Sequence, residues 1–141
     1  MPEQAMSDAD AVLAANQEFY RAFSARDLAA MDALWATETP VACIHPGWDA
    51  LVGRDMVMES WAAILGGAGS PQIRCEAPRA FVLGPSAFVI CREVLEQGRL
   101  IATNVFAREQ DGWRMVHHQA GPGGQRQPAP PTSERPPGTL H

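Results

Sequence analysis

The 141-residue sequence contains no lysine; all eleven of its basic residues are arginine. Without an ε-amino group, Schiff-base catalysis, pyridoxal phosphate attachment and a Walker-A phosphate loop are all excluded. Positive charge is also short: sixteen acidic residues leave a net charge of −5, with no basic stripe. That balance argues against nucleic acid or an anionic membrane as partner. Cysteine is sparse. Cys43, Cys75 and Cys91 are odd in number, far apart and without CxxC or zinc-type spacing, so they read as small buried hydrophobes. No apolar run approaches the ~20 residues of a membrane span. The first residues, Met1 to Met6, lack the charged and apolar regions of a signal peptide, so a cytoplasmic location is expected. Tyrosine occurs once, as Tyr20.

What is present is an ordinary globular composition, 46% hydrophobic and 19% charged, sized for one domain with a real core. The expected organisation is a short N-terminal tail over 1–6, a domain over 7–120 and a tail over 121–141. Six of the last 21 residues are proline and four are glycine, a composition expected to stay disordered; its Pro128-Ala-Pro-Pro131 is only a weak PxxP match.

Ser7 with acidic Asp10 marks a helix start, and Val12, Ala15, Phe19, Ala22 and Phe23 recur at helical spacing. Asp27 is placed to cap a second helix, from Leu28 to about Trp35. A short β-prone run, Val41 to Ile44, ends at the turn-forming His45-Pro46-Gly47-Trp48. Asp55 is expected to cap a third helix through Leu65, with Val57, Trp61, Ile64 and Leu65 inward. Strands are expected over 72–76, 79–83, 87–95, 100–109 and 113–120. Helices followed by an antiparallel meander make the fold class α+β.

The last hairpin carries the strongest chemical signal. A two-residue Asp111-Gly112 turn puts Asn104, Phe106, Met115, His117 and Gln119 on one face and sets Glu109 opposite Arg114. A face mixing apolar bodies with amides and an imidazole suits a small-molecule pocket better than a dry core. A three-residue bulged turn would shift the register by one and turn His118 inward instead. Arg92 and Glu93 alternate on their strand, so one of them faces inward; the sequence leaves open which.

Taken together, the helices, the strand ending in His45-Pro46, Gly53, Trp61 and the Thr103-Asn-Val-Phe106…Asp111-Gly-Trp113…His117-His118 hairpin resemble the NTF2-like superfamily, in its SnoaL-like and ketosteroid-isomerase-like branch. The resemblance implies three N-terminal helices on a strongly curved antiparallel sheet, a conical cavity and a homodimer. It does not assign chemistry, because the fold hosts many functions. Ketosteroid isomerase uses an Asp base and an oxyanion hole of a Tyr and a protonated Asp. In this chain the corresponding positions hold His45, Phe19 and Asn104, with Tyr20 one residue off, so that catalytic set is not kept.

Two functions follow. The first is a dimeric module that binds a small-molecule ligand through Trp48, Trp61, Phe106, Met115 and Gln119. The alternative is a cofactor-independent isomerase, dehydratase or cyclase with His45 as general base, Asn104 as oxyanion donor and His117 as a second acid. Neither requires an organic cofactor. A His45, His117 and Glu93 metal set is chemically legitimate, but no HxH or HExxH spacing supports it, and no metal is expected.

Overall fold

A computed structural model describes residues 6–69 and 72–123. Its elements are α1 (Asp8–Ala25), α2 (Leu28–Leu34), β1 (Ala42–Ile44), β2 (Leu51–Val52), α3 (Arg54–Gly66), β3 (Arg74–Leu83), β4 (Ser86–Leu95), β5 (Gly98–Glu109) and β6 (Gly112–Pro122). Residues 1–5 and 124–141, including the Pro-rich segment and its PxxP, lie outside the described residues.

The helix starts have local causes. The Ser7 hydroxyl accepts from the Asp10 N–H at 3.1 Å, and Asp8 and Asp10 complement the N-terminal dipole of α1. Asp27 Oδ1 accepts from the Ala30 N–H at 3.0 Å to open α2. Asp55 does not cap α3. Gly53 does, at φ +95° with no side-chain cap bond, and Asp55 lies within the first turn. Arg54 fastens this start by reaching the Asp32 carboxylate at 2.9 Å and the Ala36 carbonyl at 3.1 Å.

The sheet has six strands in the order β2-β1-β6-β5-β4-β3. It is antiparallel except between β1 and β6, which run parallel. The chain leaves β1 through β2 and α3 to the far edge, and the meander from β3 returns β6 alongside β1 in the same direction. The two expected segments at 72–83 form one strand with a bulge between Glu76 and Arg79, where Ala77 takes φ +53°. Pro78 is tolerated because β3 is an edge strand.

The final hairpin departs from expectation twice. Its turn residues are Gln110 and Asp111, with Glu109 opposite Gly112. Glu109 therefore does not pair with Arg114. Its carboxylate accepts from the Glu38 and Thr39 N–H groups at 3.1 and 2.9 Å, while Arg114 pairs with Asp111 at 2.7 Å. The second departure is a register shift: Phe106 pairs with Met115 but Val105 pairs with His117, leaving Val116 as an extra residue. Strand β6 also runs past the expected boundary, with Gly121 and Pro122 opposite Ile101 and Leu100.

The helices cover one sheet face. Phe19, Met31, Trp35, Val57, Trp61, Val89, Phe106 and Met115 are fully buried there. No helix among the described residues is long and apolar enough to cross a membrane.

Candidate functional site

The bulge in β6 decides which polar groups enter the interior. Before it, Trp113 and Met115 are buried; after it, His118 and Ala120 are. His118 therefore takes the inward place expected of His117. His117 lies half-buried on the other face, its Nδ1 3.0 Å from the Ala42 carbonyl, and Gln119 is exposed. On β4, Glu93 faces inward and Arg92 outward, which resolves the alternation left open by the sequence.

Glu93, Asn104 and His118 meet two residues from α1, Asn16 and Tyr20, which stand one turn apart. The donors and acceptors run in one direction. His118 Nδ1 lies 2.6 Å from Asn104 Oδ1, an atom that only accepts, so the ring proton sits on Nδ1. Asn104 Nδ2 donates to Asn16 Oδ1 at 2.8 Å and to the Tyr20 hydroxyl at 3.1 Å. Tyr20 then donates to Glu93 Oε2 at 2.6 Å. His118 Nε2 is left as an acceptor, 3.8 Å from the same carboxyl oxygen.

Burial sets the charges of this cluster. Desolvation raises Glu93 to about 7, against the pull of its Tyr20 hydrogen bond. The same cause, helped by His45 and His117, lowers His118 to about 3. Tyr20 is pushed well up by burial and by the facing Glu93 charge. At neutral pH the interior thus holds a neutral imidazole, a neutral phenol and a carboxyl balanced between its two forms.

His45 is also interior, but it belongs to a neighbouring group. Ser60 donates its hydroxyl proton to the Val57 carbonyl at 2.6 Å, so it accepts from His45 Nε2 at 2.9 Å. Desolvation lowers His45 to about 4. Its ring packs against Trp61 at 4.8 Å and lies 6.4 Å from the His118 ring. Trp61, Phe106 and Met115 are fully buried core, whereas Trp48 is 47% exposed and touches His45 from outside.

An open cleft of about 790 Å³ lies between α1 and the start of β3, with Leu13, Asn16, Tyr20, Ile73, Cys75 and Pro78 among its lining. None of the five residues expected to bind ligand lines it: three are packed into the core and two face outward. Its arginines are already paired, Arg21 with Glu18 and Asp27 and Arg74 with Glu76. Among the described residues, no three His, Cys, Asp or Glu side chains are grouped to hold a metal. The His45, His117 and Glu93 set is divided between the two sheet faces.

The sequence reading missed Asn16 and misjudged Tyr20. Both Phe19 and Tyr20 are buried, because α1 presents a stripe wide enough to cover two adjacent positions. The available signal was Asn16, polar at helical spacing between Val12 and Tyr20.

Known proteins agree with this architecture. Residues 12–122 match the SnoaL-like domain model. A candidate dehydratase of the NTF2-like family from Streptomyces avermitilis is 34% identical, with a TM-score of 0.76 over 82% of this chain and 96% of that one. A candidate calcium/calmodulin-dependent protein kinase type II association domain from Thiobacillus denitrificans is 39% identical, with a TM-score of 0.71 over 79% of this chain and 94% of that one. The F-box protein SKIP8 of Arabidopsis thaliana is 30% identical over 112 residues, 78% of this chain; the chain spans about half, 48%, of that relative's length. The chain belongs to the SnoaL-like domain family of the NTF2-like superfamily.

Proposed function

We propose that this domain is a small-molecule-binding module whose ligand enters the cleft between α1 and β3. The observation that carries the reading is the position of Asn16 and Tyr20. Both line the cleft and both belong to the buried polar network behind it. The ligand is neutral and hydrogen-bonding, because the rim arginines already have carboxylate partners. The module acts as a homodimer through the outer sheet face, a reading favoured by the kinase association domain among its relatives.

The test is a screen of neutral amide and carbonyl fragments by thermal shift. A fragment at one hundred times its Kd is expected to stabilise the fold by about 2.7 kcal/mol. Gln17→Trp, on the exposed rim, is expected to abolish that gain without disturbing the network. Absence of any stabilising fragment, or equal stabilisation of the Trp variant, overturns the reading.

A second reading, cofactor-free proton transfer, is favoured by one observation: a buried carboxyl near neutrality, 2.6 Å from a phenol. The candidate dehydratase among the relatives lends it support. Here Glu93 is the proton carrier. His45 is held behind Trp61 by Ser60, and the Asn104 amide already donates to Asn16 and Tyr20. Under this reading Glu93→Gln abolishes turnover and His45→Ala does not. The reverse result returns the base to His45.

A further inference from the structure

Two of the three cysteines are not isolated hydrophobes. Cys75 on β3 pairs with Glu93 on β4, and Cys91 lies two residues before Glu93, so the side chains are diagonal neighbours across the two strands. Each sulfur also docks on α1. Cys75 Sγ lies 3.6 Å from Asn16 Nδ2, and Cys91 Sγ lies 3.4 Å from the Tyr20 hydroxyl. Side chains four apart on a helix share one face, so both sulfurs dock on the same side of α1, where the Cys75 and Cys91 thiols interact directly. Cys75 is half-buried and lines the cleft; Cys91 is buried behind it.

We propose that Cys75 and Cys91 are a redox-active dithiol that closes to an intramolecular disulfide at the floor of the cleft, with a low-molecular-weight disulfide as oxidant. The Cys75 thiolate attacks one sulfur of oxidised glutathione. The glutathione S–S bond breaks, and the leaving thiolate takes up the proton that Cys75 gave up. The Cys91 thiolate then attacks the Cys75 sulfur of the mixed disulfide, and the second glutathione leaves as a thiolate that takes up the Cys91 proton. Two protein thiols lose two electrons and two protons, and one oxidised glutathione becomes two reduced ones.

The environment makes entry slow, because Cys75 holds its proton tightly in the reduced pair. The adjacent Cys75 thiol holds Cys91 below the ordinary thiol value, whereas the same pairing, with burial, pushes Cys75 up. Burial raises Cys43 to about 12, which keeps it a protonated bystander. The dithiol stands whether or not the cleft binds the ligand proposed above.

The experiment is incubation of the full chain with oxidised glutathione, followed by intact-mass measurement and peptide mapping. The wild-type chain is expected to lose two hydrogen atoms and to yield a Cys75–Cys91 cross-linked peptide with Cys43 free. Cys91→Ser is expected to stop at a glutathione adduct on Cys75, and Cys75→Ser to leave Cys91 unmodified. Accumulation of the adduct in the wild-type chain, a bridge to Cys43 or three thiols still free overturns the proposal. Should Cys91→Ser fail to fold, the wild-type peptide map decides alone.

Discussion

At the scale of single residues, Glu93 is the most consequential side chain. It is 2% exposed, and its nearest formal partner is a histidine that burial keeps neutral. Folding raises its proton affinity from the ordinary 4.5 to about 7. The stability it contributes is therefore full below 4.5 and declines until the pH passes about 7, a loss on the order of 3 kcal/mol. His45 and His118 act oppositely. Their values fall from 6.5 to about 4 and about 3, so their contribution is full above 6.5 and is lost as the pH drops toward the folded values. Between 4.5 and 6.5 the two histidines outweigh the one carboxyl, and stability rises with pH; above 6.5 only Glu93 still titrates, and stability falls. These three groups place the maximum near pH 6.5. Glu93→Gln keeps an acceptor for Tyr20 and is expected to remove the decline above pH 6.5 and steepen the rise below it. Urea titrations at several pH values test this, and an unchanged profile contradicts the assignment.

At the scale of elements, the bulge in β6 exchanges the roles of two adjacent histidines. His118→Ala removes the donor to Asn104 Oδ1 and leaves a hole beside Phe19, whose ring is 4.8 Å away. The expected loss is on the order of 3 kcal/mol, whereas His117→Ala, which gives up one half-buried bond to Ala42, should cost about 1 kcal/mol. Chemical denaturation of both variants measures the difference, and equal losses would restore the unbulged register. This element also marks how far the sequence can be read. Helix starts at Ser7 and Asp27 were legible because each carries its own capping oxygen, and the meander was legible from alternation and turn residues. Asn104 was placed inward correctly because its side of the bulge matches the assumed parity. His118 was missed because a single unpaired residue inverts every later position, and nothing about Val116 announces that it is unpaired. Tyr20 and Asn16 were missed for another reason: Glu93 and Asn104, which tie them into the network, lie on strands more than seventy residues away.

At the scale of the whole molecule, the two sheet faces differ in what covers them. Helices close the inner face, while the outer face carries Phe81, Phe88, Ile90, Ile101 and Val105, with no element over them among the described residues. Phe81 is 39% exposed and Ile101 43%, and the Phe81 ring stacks on Phe88 at 4.8 Å. An apolar patch of this kind, drawn from three adjacent strands, is favourable to bury against a second copy of itself. The proposed homodimer uses this face, and Val105 lies near its centre, opposite Phe88 on one side and His117 on the other. Val105→Glu places a carboxylate there that a dimer would have to desolvate twice. Sedimentation at micromolar concentration is expected to show a dimer for the wild-type chain and a monomer for Val105→Glu, with circular dichroism unchanged between them. A wild-type monomer would refute the dimer. A variant that remains dimeric would move the interface off this face and leave the patch to another partner.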